Sequence, residues 1–448
     1  MVGNKKGVYG RIIANNPHVM KSGCICHLVH LAAKKGSAVL PVQIDDLLVD
    51  IFYHFRKSDA NKKELKGFQV FYDTSLDEIT KHCTTRWLGL GPKLVQLIGQ
   101  WELLRAYFKQ ELSLRASSDS STSKVKEGVE FDEDAAKVAR KSKKIRSIEE
   151  ALSDKVSRMC VLFLNYVIPK FEQFNLIFQS REPRVHILRR EIMAFLRKLQ
   201  VCFVKASSMI SNTPFTVDFN RTSNQKDDND LLIGSDVRAY IIKHKPSEKT
   251  MKTMYDAIRQ FYVTACNYIK KTFPINDNII KHAEVADTTR RLSTSFADVR
   301  FFLDEFPFIM PPGSVDDIEE EFNLYLLHDF PDFVVKNTGD TPKKPYCERQ
   351  DKRWVYISKC RDLTTGNPLY RNLSHVMLSI LSIPVSQAAA EREFSIIRKT
   401  YNENRCGMSI DTLEALLTIK NDTPCYEDTW THEQMKEIKG ATNASLSN

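Results

Sequence analysis

The sequence predicts a mostly α-helical protein, and three observations support this prediction. Apolar residues recur at helical spacing in several long stretches, for example at Ile44, Leu47, Leu48, Ile51 and Phe55. Alternating apolar and polar runs, which indicate half-buried strands, are rare. The chain has 448 residues, of which 42% are hydrophobic and 27% are charged, which is typical of a globular protein with two or three domains.

The helical ranges follow from the apolar spacing and from the residues at the ends of each stretch. Pro169 interrupts the pattern of residues 147–179, and we expect a kink or break there because proline lacks the backbone donor. Acidic residues begin the stretch 315–327, where they suit the helix dipole. Other stretches with helical spacing are residues 42–56, 94–108, 183–207, 247–271 and 298–306.

Polar or irregular stretches separate these helices. Residues 1–37 are expected to be compact and turn-rich, because glycines crowd the start of the chain. Residues 116–146 begin with a serine-rich run of low apolar content, which predicts a mobile loop inside a helical domain. A second polar loop is expected at 211–232 and a linker at 330–350, and residues 354–357 begin either a short strand or a helix.

Charge and cysteine usage restrict the class of partner and the compartment. The formal net charge of +9 favours acidic partners, nucleic acid first. No segment offers the run of about 20 apolar residues that a membrane span needs, and no secretory signal begins the chain, so we expect free thiols and no membrane partner. The basic run at 140–144 is either a nuclear import signal or a solvated linker.

The C-terminal part contains the most informative pattern. An apolar run ends at Ile383-Pro384, a short polar turn follows, and a predicted helix then carries Glu391 and Arg392 in its first turns. A carboxylate that binds a divalent metal has to sit on a rigid element, which this helix supplies. From composition alone, an exposed helix glutamate is the more common explanation. A second amphipathic helix is predicted at residues 408–420.

Cysteine and histidine cluster near the start of the chain. Cys24 and His27 have a Cys-x-x-His spacing, and Cys26 and His30 are four residues apart, so that both could lie on one helix face. A structural zinc site needs four ligands, and His82-Cys83 is the nearby pair that could complete one. The alternative, which we favour, is a buried helix that uses thiols and imidazoles as packing groups.

Arg86 and Trp87 pair a phosphate-binding side chain with a flat surface on which a base can stack. Such a tryptophan suits an enzyme that extrudes a base from duplex DNA. Taken alone, a core tryptophan beside a surface arginine is the more common explanation.

These three patterns, taken in chain order from Cys24 to Trp87 to Glu391, resemble the hAT superfamily of DNA transposases. The resemblance implies that Glu391 corresponds to the catalytic glutamate and that Cys24 and His27 lie near the active site. It also implies DNA contacts by Arg86, Trp87 and Arg392. The C-terminal block is the family's dimerisation region, which implies dimer contacts by Phe394, Leu413, Leu416 and Leu417.

The resemblance further implies a fold and a domain organisation. The fold is a helical insertion domain plus the C-terminal remnant of an RNase H-like α/β core that lacks its first strands. The expected segments are a partial RNase H-like segment at 1–90, the helical insertion domain at 91–345, the dimerisation region at 346–424 and a tail at 425–448.

Two family aspartates bear on the predicted function, because three carboxylates hold the two metal ions of a hAT active site. The sequence begins after the position expected for both, so we expect no metal site in this chain alone and no enzyme activity. The remaining function is homo-oligomerisation with residual DNA binding in a nuclear, transposon-derived protein, and no small-molecule substrate. The alternatives are part of an active cut-and-paste transposase, which would bind Mg²⁺ or Mn²⁺ once its start is restored, and a purely protein-binding module.

Overall fold

The computed structural model describes residues 8–16, 19, 23–72, 87–121, 133–330, 334–335, 346–347, 349–401 and 407–422. These segments are mostly helical, as the sequence predicts. The α-helices are α1 Val8–Asn15, α2 Ile25–Ser37, α3 Ile44–Arg56, α4 Asp59–Phe71, α5 Gly91–Gly99, α6 Trp101–Ser121, α7 Glu133–Ser153, α8 Lys155–Phe178, α9 Val185–Gln200, α10 Ala206–Ile210, α11 Ser235–His244, α12 Glu248–Thr272, α13 Asn278–His282, α14 Phe296–Glu305, α15 Val315–Leu327, α16 Gln350–Ile357, α17 Arg371–Leu381, α18 Ala388–Thr400 and α19 Ile410–Asp422.

The strands within the described segments are short. β1 Val334–Val335 pairs antiparallel with β2 Tyr346–Cys347, with Val334 opposite Cys347. No larger sheet occurs among the residues that the structure describes. The RNase H-like remnant therefore stays a prediction.

Several helices confirm the apolar spacing of the sequence. α15 occupies the predicted range 315–327, and a capping box between Ser314 and Asp317 explains where it begins. Residues 354–357, for which strand and helix were both open, lie in α16, where Trp354 and Ile357 are buried. Within the described residues, no helix is long and apolar enough to cross a membrane.

Of the kink or break expected at Pro169, the break does not occur, and the helix predicted for residues 147–179 is divided elsewhere. α8 continues through Pro169, and the helix boundary lies at Asp154 instead. The Asp154 carboxylate accepts hydrogen bonds from the backbone N–H groups of Val156 and Ser157, at 3.2 and 2.8 Å. This N-cap starts a new helix at Lys155, because it satisfies donors that an uncapped helix end would leave without partners.

The loop predicted at 116–146 is wrong for much of its length. α6 extends to Ser121 and α7 begins at Glu133, and only residues 122–132 lie outside the described segments. α7 buries Ile145, Ile148 and Leu152 at helical spacing. Burial of this apolar face favours a helix that includes the basic run at 140–144, which composition alone did not reveal. The turn-rich prediction for residues 1–37 is also wrong, because α1 and α2 occupy most of that range.

The described helices form two compact units, residues 1–386 and residues 387–448. In the first unit, α2 packs against both α8 and α12. Its buried face contains Ile25, Val29, Ala32 and Ala33. The predicted polar loop at 211–232 is irregular, but it also contributes to the core of this unit. Its buried residues are Val217, Phe219, Gln225 and Leu231.

Candidate functional site

The helix that carries Glu391 belongs to the second unit. α18 begins after Gln387, and the backbone N–H of Glu391 donates to the Gln387 carbonyl at 2.9 Å, which places Glu391 in the first turn as predicted. The Glu391 side chain is exposed and Arg392 is half-buried. Phe394 lies one turn further on and is 63% exposed.

α19 provides a second apolar face in the same unit and contacts α18. The Ser409 hydroxyl accepts from the Thr412 backbone N–H at 3.2 Å and caps the start of the helix. Leu413, Leu416 and Leu417 are half-buried at helical spacing, and Ile410 is 81% exposed. These predicted dimerisation residues thus lie on one stripe that is not fully covered.

The turn that precedes α18, residues 383–386, belongs to the first unit and makes two hydrogen bonds within it. The Val385 carbonyl accepts from the backbone N–H of Ile25 at 3.0 Å. The Ser386 hydroxyl donates to the Phe178 carbonyl at 2.6 Å, at the end of α8. The structure therefore brings the Ile383-to-Ser386 turn to the start of α2, next to Cys24. Sequence analysis had placed these two segments in one family pattern without foreseeing this contact.

The Cys-x-x-His segment forms the start of α2. Cys26 is buried, with its sulfur 3.9 Å from the Asn175 carbonyl of α8, whereas His27 is exposed and Cys24 is half-buried. Neither Cys24 nor Cys26 forms a disulfide. The Cys24 side chain does not cap the helix. Cys26 thus acts as a packing group against α8, as the favoured interpretation predicts, whereas the exposed His27 does not.

His30 connects α2 to the Arg-Trp segment. Its Nδ1 accepts a hydrogen bond from the backbone N–H of Leu88 at 3.0 Å, so this nitrogen carries no hydrogen in the contact. Leu88 belongs to a short 3-10 turn, Trp87–Leu90, that leads directly into α5. Arg86 and the side chain of Trp87 lie outside the described residues. This contact with α2 holds the backbone of Leu88, the residue that follows Trp87.

Glu172 of α8 holds the other end of the 3-10 turn. It accepts a hydrogen bond from the Gly91 backbone, at the first residue of α5. Burial raises the pKa of the Glu172 carboxyl, and the Gly91 N–H opposes that rise because it stabilises the charged form. His30 and Glu172 therefore fix the turn from two different helices.

The comparison with known families fits this geometry. Residues 365–423 match the family model described as the hAT family C-terminal dimerisation region. This match supports a hAT transposase-related protein. The matched segment includes α17, the turn at residues 383–386, α18 and α19. No curated protein matches the chain.

The described residues of this hAT-related chain do not fit a metal group. Among them, no three His, Cys, Asp or Glu side chains cluster in a way that could hold an ion. The pair that might complete a zinc site, His82-Cys83, lies outside the described residues. Asp50, a carboxylate on α3, forms an ion pair with Lys144 at 2.8 Å.

The hydrogen bond from the Leu88 N–H gives His30 a positioning role that neither a metal ligand nor a packing group would have. We predict that His30→Ala leaves the Leu88 N–H without its acceptor, at a cost of about 1 kcal/mol or about fivefold in local opening. Hydrogen exchange of the peptide containing Leu88 measures this as faster exchange. Replacing the exposed His27 by alanine on the same helix is the control. Equal exchange in the two variants would contradict the positioning role of His30.

Proposed function

We propose that this hAT-related chain works by self-association in the nucleus, with residual DNA contact and without strand cleavage. The observation that carries the proposal is the match of residues 365–423 to the dimerisation region, together with the uncovered apolar stripe of α18 and α19. Phe394 and Ile410 are the most exposed members of that stripe. Burying them against a partner removes apolar surface from water, which favours association.

The proposal that cleavage is absent rests on the catalytic carboxylate that the hAT resemblance assigns to this chain. Two metal ions that clamp the attacking and leaving oxygens need several carboxylates held on rigid elements. Glu391 is the motif carboxylate in this chain, and one carboxylate does not hold two ions. We therefore propose no metal-dependent cleavage by this chain alone.

DNA contact is proposed at Arg86, Trp87 and Arg392. Three considerations support it: the family resemblance of these residues, the net charge of +9, and the anchoring by His30 of the backbone of Leu88, the residue that follows Trp87. A loop that presents an aromatic ring to a base gains from such anchoring, because less freedom is lost on binding.

A second candidate function is part of an active cut-and-paste transposase. Glu391 favours it, because its exposed carboxylate sits in the first turn of a regular helix, as a metal-binding carboxylate requires. In that case, Glu391 would share Mg²⁺ or Mn²⁺ with carboxylates from outside this chain. The metal would stabilise charge on the oxygens of the scissile phosphate.

The proposed function predicts three results for the purified chain. Sedimentation should show a dimer or higher oligomer. Incubation with transposon-end DNA and Mg²⁺ or Mn²⁺ should leave the strands intact. DNA affinity should fall steeply with salt, and replacing Arg86 by alanine should reduce the slope by about one, because one phosphate contact is lost.

Arg300→Ala is the matched control for the salt series, since it removes one exposed charge on α14. Cleavage by the chain that disappears in Glu391→Gln would replace the proposal by the second candidate. A chain that self-associates but has no DNA affinity at any salt concentration would instead be a protein-binding module.

A further inference from the structure

An open apolar groove of about 620 Å³ lies in the first unit. α14, the 3-10 turn Pro307–Ile309 and α17 supply most of its wall, and Asn16 and Val19 contribute from the N-terminal side. Its lining contains no Lys, Arg, Asp or Glu. The apolar lining is Val19, Phe302, Phe306, Phe308, Ile309, Ile380, Ile383 and Pro384.

The groove is exposed because of how α14 ends. The helix stops at Glu305, and the Pro307 turn projects the next aromatic residue outward, so Phe308 is 72% exposed. Ile380 on the opposite wall is 1% exposed and belongs to the core, which makes the floor rigid. A rigid apolar floor with an exposed aromatic rim resembles the acceptor half of a helix-in-groove contact.

The groove is continuous with the dimerisation region. His375, Ser379, Ile380, Ser382, Ile383 and Pro384 of its lining all fall within the matched residues 365–423. The other part of that region, α18 and α19, carries the exposed Phe394 and Ile410. One family-defined segment thus contains both an apolar acceptor wall and an apolar helical face.

We propose that this groove binds a second copy of the chain, and that its occupant is the apolar face of α18 and α19 with Phe394 and Ile410. This inference rests on the proposed self-association and adds the surface that performs it. An uncharged groove favours an apolar partner, because a charged partner would lose its hydration without gaining an ion pair. In a two-fold symmetric dimer, the contact occurs twice, once in each direction.

The first test is Phe308→Asp. The residue is exposed, so the fold tolerates the change, but the carboxylate has no partner in the apolar groove. The dimer dissociation constant measured by sedimentation should rise about thirtyfold or more, as for a central interface residue. Phe71→Asp is the matched control, because Phe71 is 83% exposed on α4, away from the groove, and this variant should associate like the natural chain.

The second test identifies the occupant by mixing two variants. Phe308→Asp damages the groove and Phe394→Asp damages the helical face, so each variant alone has no intact contact. A mixed dimer has one intact contact, formed by the groove of the Phe394→Asp copy and the helix of the Phe308→Asp copy. Mixing differently tagged variants should therefore restore part of the association.

Each outcome has one meaning. A natural chain that stays monomeric contradicts the proposed function itself. A natural dimer that Phe308→Asp leaves unchanged overturns the groove as an interface. Loss of association in both variants without recovery on mixing overturns α18 and α19 as the occupant.

Discussion

Replacement of Gly36 by leucine is expected to destabilise the first unit by about 3 kcal/mol. Gly36 lies on the buried face of α2 at its closest approach to α12. A Cβ atom there would lie 3.0 Å from the Phe261 ring and 3.2 Å from the Phe261 carbonyl oxygen. The ring can shift a little, but the backbone oxygen of α12 cannot move without displacing the helix. Urea unfolding of the natural chain and the variant measures the difference.

Gly67→Leu is the matched control for this prediction. Gly67 also lies inside a helix, α4, but a Cβ there has no neighbour within 4 Å. Leucine should be neutral or stabilising at this position, because glycine costs up to about 1 kcal/mol in a helix interior. Equal loss of stability in both variants would mean that helix crowding at Phe261 is not the cause.

The Gly36 contact also bears on the functional segments. α2 carries Cys24 and His27 at one end and His30 in its middle, and it is held against α12 by a face of small residues. If leucine pushes α2 away from α12, the His30 contact with Leu88 should weaken as well. Hydrogen exchange at Leu88 therefore reports on the same change from a distance.

Local sequence patterns predicted many of the helices. The spacing of apolar residues predicted α3, α12 and α15, and the family pattern predicted Glu391 in the first turn of α18. Such features depend on residues within one or two turns of each other, and the sequence displays them directly. The match at residues 365–423 rests on the same kind of local pattern.

Features that depend on contacts between distant segments were missed. The Leu88 N–H reaches His30 across 58 positions, and Ser386 reaches Phe178 across 208. Nothing in the local sequence marks such pairs. The helical start of α7 was missed for a related reason, because its acid- and lysine-rich composition hides a buried face at Ile145 and Ile148. The groove likewise exists only once α14 and α17 lie side by side.

A drop in pH is expected to destabilise the protein through His186 of α9. This histidine is 4% exposed, and its burial lowers the pKa to about 4, with a smaller opposing effect from Asp287 and further lowering by nearby arginines. The unfolded chain binds a proton near pH 6.5, so between about 6.5 and 4 it holds more protons than the folded chain. The free energy of unfolding contributed by His186 is therefore complete above 6.5 and falls as pH decreases, by about 1.4 kcal/mol per unit and about 3 kcal/mol in all.

His186→Gln separates this effect from the titration of carboxylates. Glutamine does not titrate, so the variant should lose less stability than the natural chain when pH falls from 6.5 to 4. The difference between the two pH profiles, measured by urea unfolding, should reach about 3 kcal/mol at the acid end. His27→Gln is the control, because His27 is exposed on α2 and its profile should follow that of the natural chain. Parallel profiles for the natural chain and His186→Gln would mean that the buried imidazole takes up its proton without unfolding, and that α9 admits water at His186.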